Sequence, residues 1–216
     1  ERWDASGKVV LPGFVDPHTH LIFMGNRAFE FEMRLEGKSY QEIMAAGGGI
    51  VNTVRMTRSA SVAQLKDTAR ARMRSMLRHG TTTAEAKTGY GLEARSELNQ
   101  LQAIMELDAE EEMDVVPTYL GAHAIPPEYT DDAQGYTREL VEHSLPELAS
   151  WWQSHYASRP KPYVDVFCET GAFSYEQSRQ ILQQAKNLGF PLKIHADEFD
   201  NLGGAALAAE LGAASA

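Results

Sequence analysis

Two residue groups in this 216-residue chain have the types and spacing to do chemistry together. The first is His18-Thr19-His20. On a strand, positions i and i+2 face the same side, so both imidazoles can point at one ion. Imidazole nitrogens suit zinc, iron and nickel. Taken alone, the pair reads as readily as two polar residues in a loop, but Asp16 and the preceding Leu11-Pro12-Gly13-Phe14-Val15 sharpen it. The second group is Lys193-Ile194-His195-Ala196-Asp197-Glu198. A short strand would deliver His195 as a third metal ligand. Glu198, on the turn that follows, is placed to take a proton from a water that the metal activates. Asp197 is a neighbour that supports the site from behind.

The elements that must position these groups alternate along the chain. Apolar, β-rich runs cover residues 9–15, 81–86, 114–120, 163–168 and 191–194, and helical patterns cover 61–79, 93–112, 134–155, 174–188 and 202–211. Gly80, Gly189 and Gly212 stand where helices should end. Strand–helix alternation with mostly buried strands predicts parallel β/α units. A doubly wound sheet usually carries a glycine-rich phosphate loop after its first strand. Here that strand runs into Asp16-Pro17-His18-Thr19-His20, and Gly47-Gly48-Gly49 follows a helical pattern instead. Polar residues gather at the C-terminal ends of all five strands: His18 and His20, Lys87 and Tyr90, His123, Glu169, then His195 and Glu198. A (β/α)8 TIM-type barrel keeps its chemistry at that face and needs ~250 residues, so residues 9–216 are expected to be a partial barrel, strands 1–5 with the start of a sixth at 213–216.

Composition narrows the rest. Twenty basic residues against 30 acidic give a formal net charge of −10, which disfavours nucleic acid or an anionic membrane as partner. No run approaches the ~20 apolar residues of a membrane span. A single cysteine, Cys168, excludes a disulfide framework and points to a reducing, cytoplasmic setting. It reads as a small core residue. Lys87 reads as the partner of an acidic residue ahead of a catalytic amine, Glu169 equally as a supporting group or a buried paired one, Glu110-Glu111-Glu112 as a solvated helix end, and Trp151-Trp152 as packing or interface.

The segment from Leu11 to His20 resembles the PGxxDxHxH opening of the amidohydrolase superfamily, which marks barrel strand 1 and two metal ligands. Further segments are similar to the imidazolonepropionase family within it. These are Gly25-Asn26-Arg27, Glu30-Phe31-Glu32, Ala46-Gly47-Gly48-Gly49-Ile50 and Lys87-Thr88-Gly89-Tyr90-Gly91-Leu92. So are the stretch from Leu120 to Tyr129, Val164-Asp165-Val166-Phe167-Cys168-Glu169 and Asn201-Leu202-Gly203-Gly204.

The resemblance implies a metal-dependent hydrolase that opens the cyclic amide C–N bond of 4-imidazolone-5-propanoate to give N-formimino-L-glutamate, a step of histidine degradation. It implies one divalent metal ion, zinc or iron, on His18, His20 and His195. Glu198 would be the general base and also touch substrate. Arg27, Tyr90 and His123 would contact substrate. Arg27 would offer its planar fork to the substrate carboxylate, and His123 would polarise the carbonyl. The fourth strand lacks the lysine that bridges two metals in some relatives. The family's strand 6 His and strand 8 Asp fall outside these residues, so the chain is expected to be an inactive segment of a longer, homodimeric protein. Residues 1–8 would be the end of a small β-sandwich. Three other readings stay open: an aminohydrolase of a purine-like heterocycle, a non-catalytic metal-binding barrel, and a barrel fragment that assembles with a partner chain.

Overall fold

In the computed structural model, which describes residues 2–39, 42 and 48–216, five strands alternate with helices. β1 (Phe14–Thr19), β2 (Thr81–Lys87), β3 (Asp114–Ala122), β4 (Tyr163–Cys168) and β5 (His195–Ala196) lie side by side in chain order, and every pairing is parallel. The sheet is curled. Strands sit ~4.8 Å apart, so β1 and β5 would stand about 19 Å from each other in a flat sheet. Their His18 and His195 side chains instead approach to 3.0 Å. The expected partial barrel is therefore present as a curled, five-stranded arc.

The helices are α1 (Ala28–Leu35), α2 (Ile50–Arg58), α3 (Val62–Arg78), α4 (Ala94–Glu110), α5 (Ala133–Glu139), α6 (Leu145–Tyr156), α7 (Tyr175–Asn187) and α8 (Gly204–Leu211). They cover the convex face. Leu65, Ala69 and Met73 of α3 join Ala84 and Ala86 of β2 in one buried cluster. Leu148, Trp152, Ile181 and Leu207 join Val164, Val166 and Cys168 in the larger one. Strand alternation then sends Asp165 of β4 to the concave side. Ser61 and Ser174 start α3 and α7 through capping boxes with Gln64 and Gln177.

Several boundaries differ from expectation. The apolar run at 9–15 forms a strand only from Phe14 onward, and β1 continues through His18. Val9 and Val10 are about four-fifths exposed, because no described residue pairs with them. Pro17 lacks an N–H, and the β1–β2 register shifts between Asp16 and Thr19. The run at 191–194 makes only isolated bridges, Leu192 with Val164 and Lys193 with Ser215, and the paired strand is His195–Ala196. Ser215 lies in the stretch 213–216, where this single bridge is isolated.

The helix expected over 134–155 is interrupted by a π turn at Leu140–Ser144. Pro146 explains it: proline cannot donate to the carbonyl four residues back, so the turn before it widens. The sequence pattern missed α1 and α2. Ile50, Val51, Thr53, Val54 and Thr57 are poor helix formers, and burial of Thr53, Val54 and Thr57 outweighs that preference. Of the stretch 46–50, Ala46 and Gly47 lie outside the described residues. Gly49, at φ +84°, precedes α2 as its N-cap and gives its N–H to Glu30 Oε1 at 2.7 Å.

Candidate metal centre

β1 and β5 carry the site. His18 is the penultimate residue of β1, His20 directly follows the strand, and His195 opens β5. Their Nε2 atoms converge: His18 to His20 at 3.2 Å and His18 to His195 at 3.0 Å. One nitrogen from each ring lies within 4.8 Å of the others. Asp16 accepts the His18 backbone N–H at 3.3 Å, which steadies the bulged strand. Burial, then the neighbouring His195, lowers the His18 pKa, and burial followed by His123 takes His20 to about 2. Both rings are therefore neutral at neutral pH. His195 Nδ1 faces Asp165 Oδ2 at 3.0 Å, so the proton sits on Nδ1 and Nε2 presents a lone pair. One His18 Nε2–H can bridge to only one of the other two rings, whereas a divalent ion would take a nitrogen from all three, and the set fits such an ion. Among the described residues no carboxylate joins this cluster.

A cavity of about 600 Å³ opens beside it, lined by His18, His195, Lys87, Lys193, Glu85 and Glu198. Glu198 is exposed on its wall. The loop that carries it is tied down by Glu169, whose carboxylate accepts N–H groups from Thr170, Phe199 and Asp200 at 2.7, 2.8 and 3.2 Å. Those bonds, first the one from Phe199, hold its pKa below the usual range. Asp197, at φ +56°, accepts from Leu202, Gly204 and Ala205 at 3.1–3.2 Å, so it caps the start of α8 instead of standing behind the metal.

His123 stacks on His20, with centroids 4.7 Å apart and planes 15° from parallel. Its Nδ1 meets the Gly89 carbonyl at 2.8 Å. A carbonyl only accepts, so Nδ1 carries the proton. Burial lowers the His123 pKa to about 4, and Nε2 is left as an acceptor. In that tautomer Nε2 is the ring nitrogen free to face a ligand. Tyr90 lies against His20 and His123 at 5.9 and 5.3 Å between ring centroids. Tyr90 also lines a second cavity of about 370 Å³ with Arg27, Arg72, Thr53, Asn26 and Phe23. Arg27 donates from Nε to Thr53 Oγ1 at 3.1 Å, and among the described residues its two Nη groups have no partner.

Sequence reasoning missed four residues here. Arg72 lies 3.7 Å over the Phe23 ring and donates from Nη1 to the carbonyls of Leu21 and Phe23 at 2.9 and 3.0 Å. Nothing in its helical pattern distinguished it from a surface arginine. Glu97 is fully buried and accepts from Gly89, Gly91 and Leu92 at 2.8, 2.7 and 2.8 Å, which shapes the Tyr90 loop. Glu85 and Asp165 form buried ion pairs with Lys87, both at 2.7 Å. Their signal was visible: charged residues at alternate positions of otherwise apolar strands. The pairing bears out the reading of Lys87. The residues Glu110 and Glu111 are not a free solvated end, since they bind Lys66, Arg70 and Arg74 of α3. Cys168 is buried in the core.

A curled parallel sheet with converging histidines at its C-terminal edge is an arrangement able to hold a divalent ion, and the chain's similarities point the same way. Residues 1–57 match the family described as "Amidohydrolase family". Over nearly its whole length the chain is similar to imidazolonepropionases. It is 52% identical over 212 residues to that of Herpetosiphon aurantiacus and 54% over 214 residues to that of Chloroflexus aggregans, 98% of this chain in both. It is 53% identical to that of Symbiobacterium thermophilum over 213 residues, 99% of this chain. The chain spans about half the length of these relatives: 50%, 50% and 49%. Among solved structures, it shares its fold with a 5-methylcytosine deaminase from Klebsiella pneumoniae liganded with 5-fluorocytosine. The TM-score is 0.56 at 16% identity, covering 93% of this chain and 43% of that one.

Proposed function

We propose that the protein containing this chain hydrolyses the cyclic amide C–N bond of 4-imidazolone-5-propanoate to N-formimino-L-glutamate, as the names of its relatives suggest. One observation carries the reading: the three-histidine cluster adjoins, through Tyr90, a cavity lined by two arginines and no carboxylate. The substrate has the matching halves, a small ring amide and a carboxylate tail.

His18, His20 and His195 would hold one divalent ion, zinc or iron. When bound, that ion supplies Lewis acidity, which makes water a nucleophile near neutral pH. Arg27 takes the carboxylate on its free Nη fork, so it fixes where the ring lies. Tyr90 closes the side of the ring site. His123 Nε2 accepts a ring N–H and sets the ring's orientation. Glu198 takes the proton of the attacking water and returns it to the departing ring nitrogen, so that one water is consumed and the C–N bond opens. A purine-type aminohydrolase would have no use for the arginine-lined cavity.

The test is loss of imidazolone propionate absorbance by the intact protein, with and without a chelator, with ammonia assayed in parallel. Chelator-sensitive loss without ammonia is expected. Ammonia release from a purine-type ring, with none of this hydrolysis, would overturn the reading. Glu198→Ala should lower kcat at least 100-fold, on the order expected for a general base. Arg27→Ala should act mainly on KM, and the reverse pattern would reject these roles.

A further inference from the structure

Beneath the three histidines runs a chain of buried charges. Lys193 Nζ meets Glu85 Oε2 at 2.8 Å, Glu85 Oε1 meets Lys87 Nζ at 2.7 Å, Lys87 Nζ meets Asp165 Oδ2 at 2.7 Å, and the same Oδ2 meets His195 Nδ1 at 3.0 Å. Glu85, Lys87 and Asp165 are all under 5% exposed. Buried ion pairs contribute little net stability, and apolar residues of similar volume often serve as well. Packing alone therefore gives no reason to place these groups in the concave face.

The chain is balanced, two ammonium groups against two carboxylates, and it ends on the imidazole of His195. Lys87 holds the carboxylate by the oxygen that His195 also uses, while Oδ1 is buried without a partner. Both bonds thus aim one oxygen at Nδ1. His20 lacks such support: among the described residues its Nδ1 is buried and unpartnered. We infer that Asp165, pinned by Lys87, is a positioning residue that turns His195 so that its Nε2 faces His18 and His20, and thereby sets the affinity of the centre for its metal ion. The inference rests on the metal-centre reading above, not on the identity of the substrate.

The test measures Zn²⁺ affinity of the intact protein against a chromophoric chelator, the visible spectrum of the Co²⁺-substituted form, and thermal stability of the metal-free form. Removing a carboxylate behind a ligating histidine typically weakens metal binding about 10- to 100-fold. Asp165→Ala should show that loss and an altered Co²⁺ spectrum. Asp165→Asn keeps an oxygen that can accept the Nδ1 proton, so it should recover part of the affinity. A merely structural role would instead lower metal-free stability in both variants and leave the affinity of the folded fraction unchanged. Wild-type affinity and spectrum in folded Asp165→Ala overturn the inference. Should that variant fail to fold, the same result in Asp165→Asn overturns it. A wild-type protein that binds no divalent ion overturns the metal-centre reading as well, so the two failures are distinguishable.

Discussion

Glu97 offers a sharp test of how the site is held, because it touches no proposed substrate atom. Its carboxylate is fully buried at the start of α4 and gathers three backbone N–H groups from the loop between Thr88 and Leu92. Oε1 serves Gly91 and Leu92, and Oε2 serves Gly89. Burial raises its pKa despite these donors. The loop needs that support. Leu92 sits at φ +52°, a conformation that costs ~1–2 kcal/mol outside glycine, and Gly89, at φ +114°, supplies the carbonyl that holds His123. In Glu97→Ala all three N–H groups lose their acceptor. At ~1–3 kcal/mol for each buried unsatisfied donor, with partial relaxation of the loop, the loss should be about 3–5 kcal/mol. Glu97→Gln retains one oxygen for Gly91 and Leu92 but turns an amide NH2 toward Gly89 N–H, so its loss should be ~1–3 kcal/mol. Urea denaturation reads both values. A steady-state assay should show KM rising in Glu97→Gln, because Tyr90 and His123 lose their shared support. Equal stability of wild type, Glu97→Gln and Glu97→Ala would refute the reasoning.

Two further outcomes follow from other parts of the structure. Arg72→Met should lose ~1–3 kcal/mol, since Nη1 bridges the Leu21 and Phe23 carbonyls and the guanidinium covers the Phe23 ring. It should also raise KM by loosening the segment that leads to Arg27, and a variant with wild-type stability and KM would remove Arg72 from the site. The metal-free protein should lose stability as pH falls from 6.5 toward 4. His20, at about 2 in the folded chain, stays neutral there and His123, at about 4, stays neutral down to about pH 5, while the same residues in the unfolded chain take up protons. Glu97, with its raised carboxyl, opposes this by at most one proton. Each of these two histidines adds up to about 1.4 kcal/mol per pH unit below pH 6.5, and their contribution fades above pH 7. Denaturation in chelator at pH 7.5 and 5 measures it, and identical stabilities at the two values would show that the rings are not buried neutral.

The sequence by itself determined the order of strands and helices, the parallel sheet and the residues able to bind a metal. Apolar runs reported β2 and β4 closely and helical periodicity α3 and α7, because buried strands read as apolar runs, and the helices bury one face and start at capping serines, all of them local properties. His18, His20, His195 and Glu198 were legible because few side chains can do their chemistry. Local signals failed where partners decided the outcome. Val9 to Leu11 look like a strand yet pair with no described residue, while the β-branched α2 is helical because its burial requires it. The ion pair between Lys87 and Asp165 joins residues 78 apart in the chain. It exists because the sheet curls and brings β2 and β4 to face each other across the concave side. The same curl sets His18 against His195, 177 residues away. The direction of each imidazole proton, and hence which nitrogen is free for an ion or a substrate, depends on the carbonyl or carboxylate that tertiary packing places behind the ring, and no spacing along the chain encodes that.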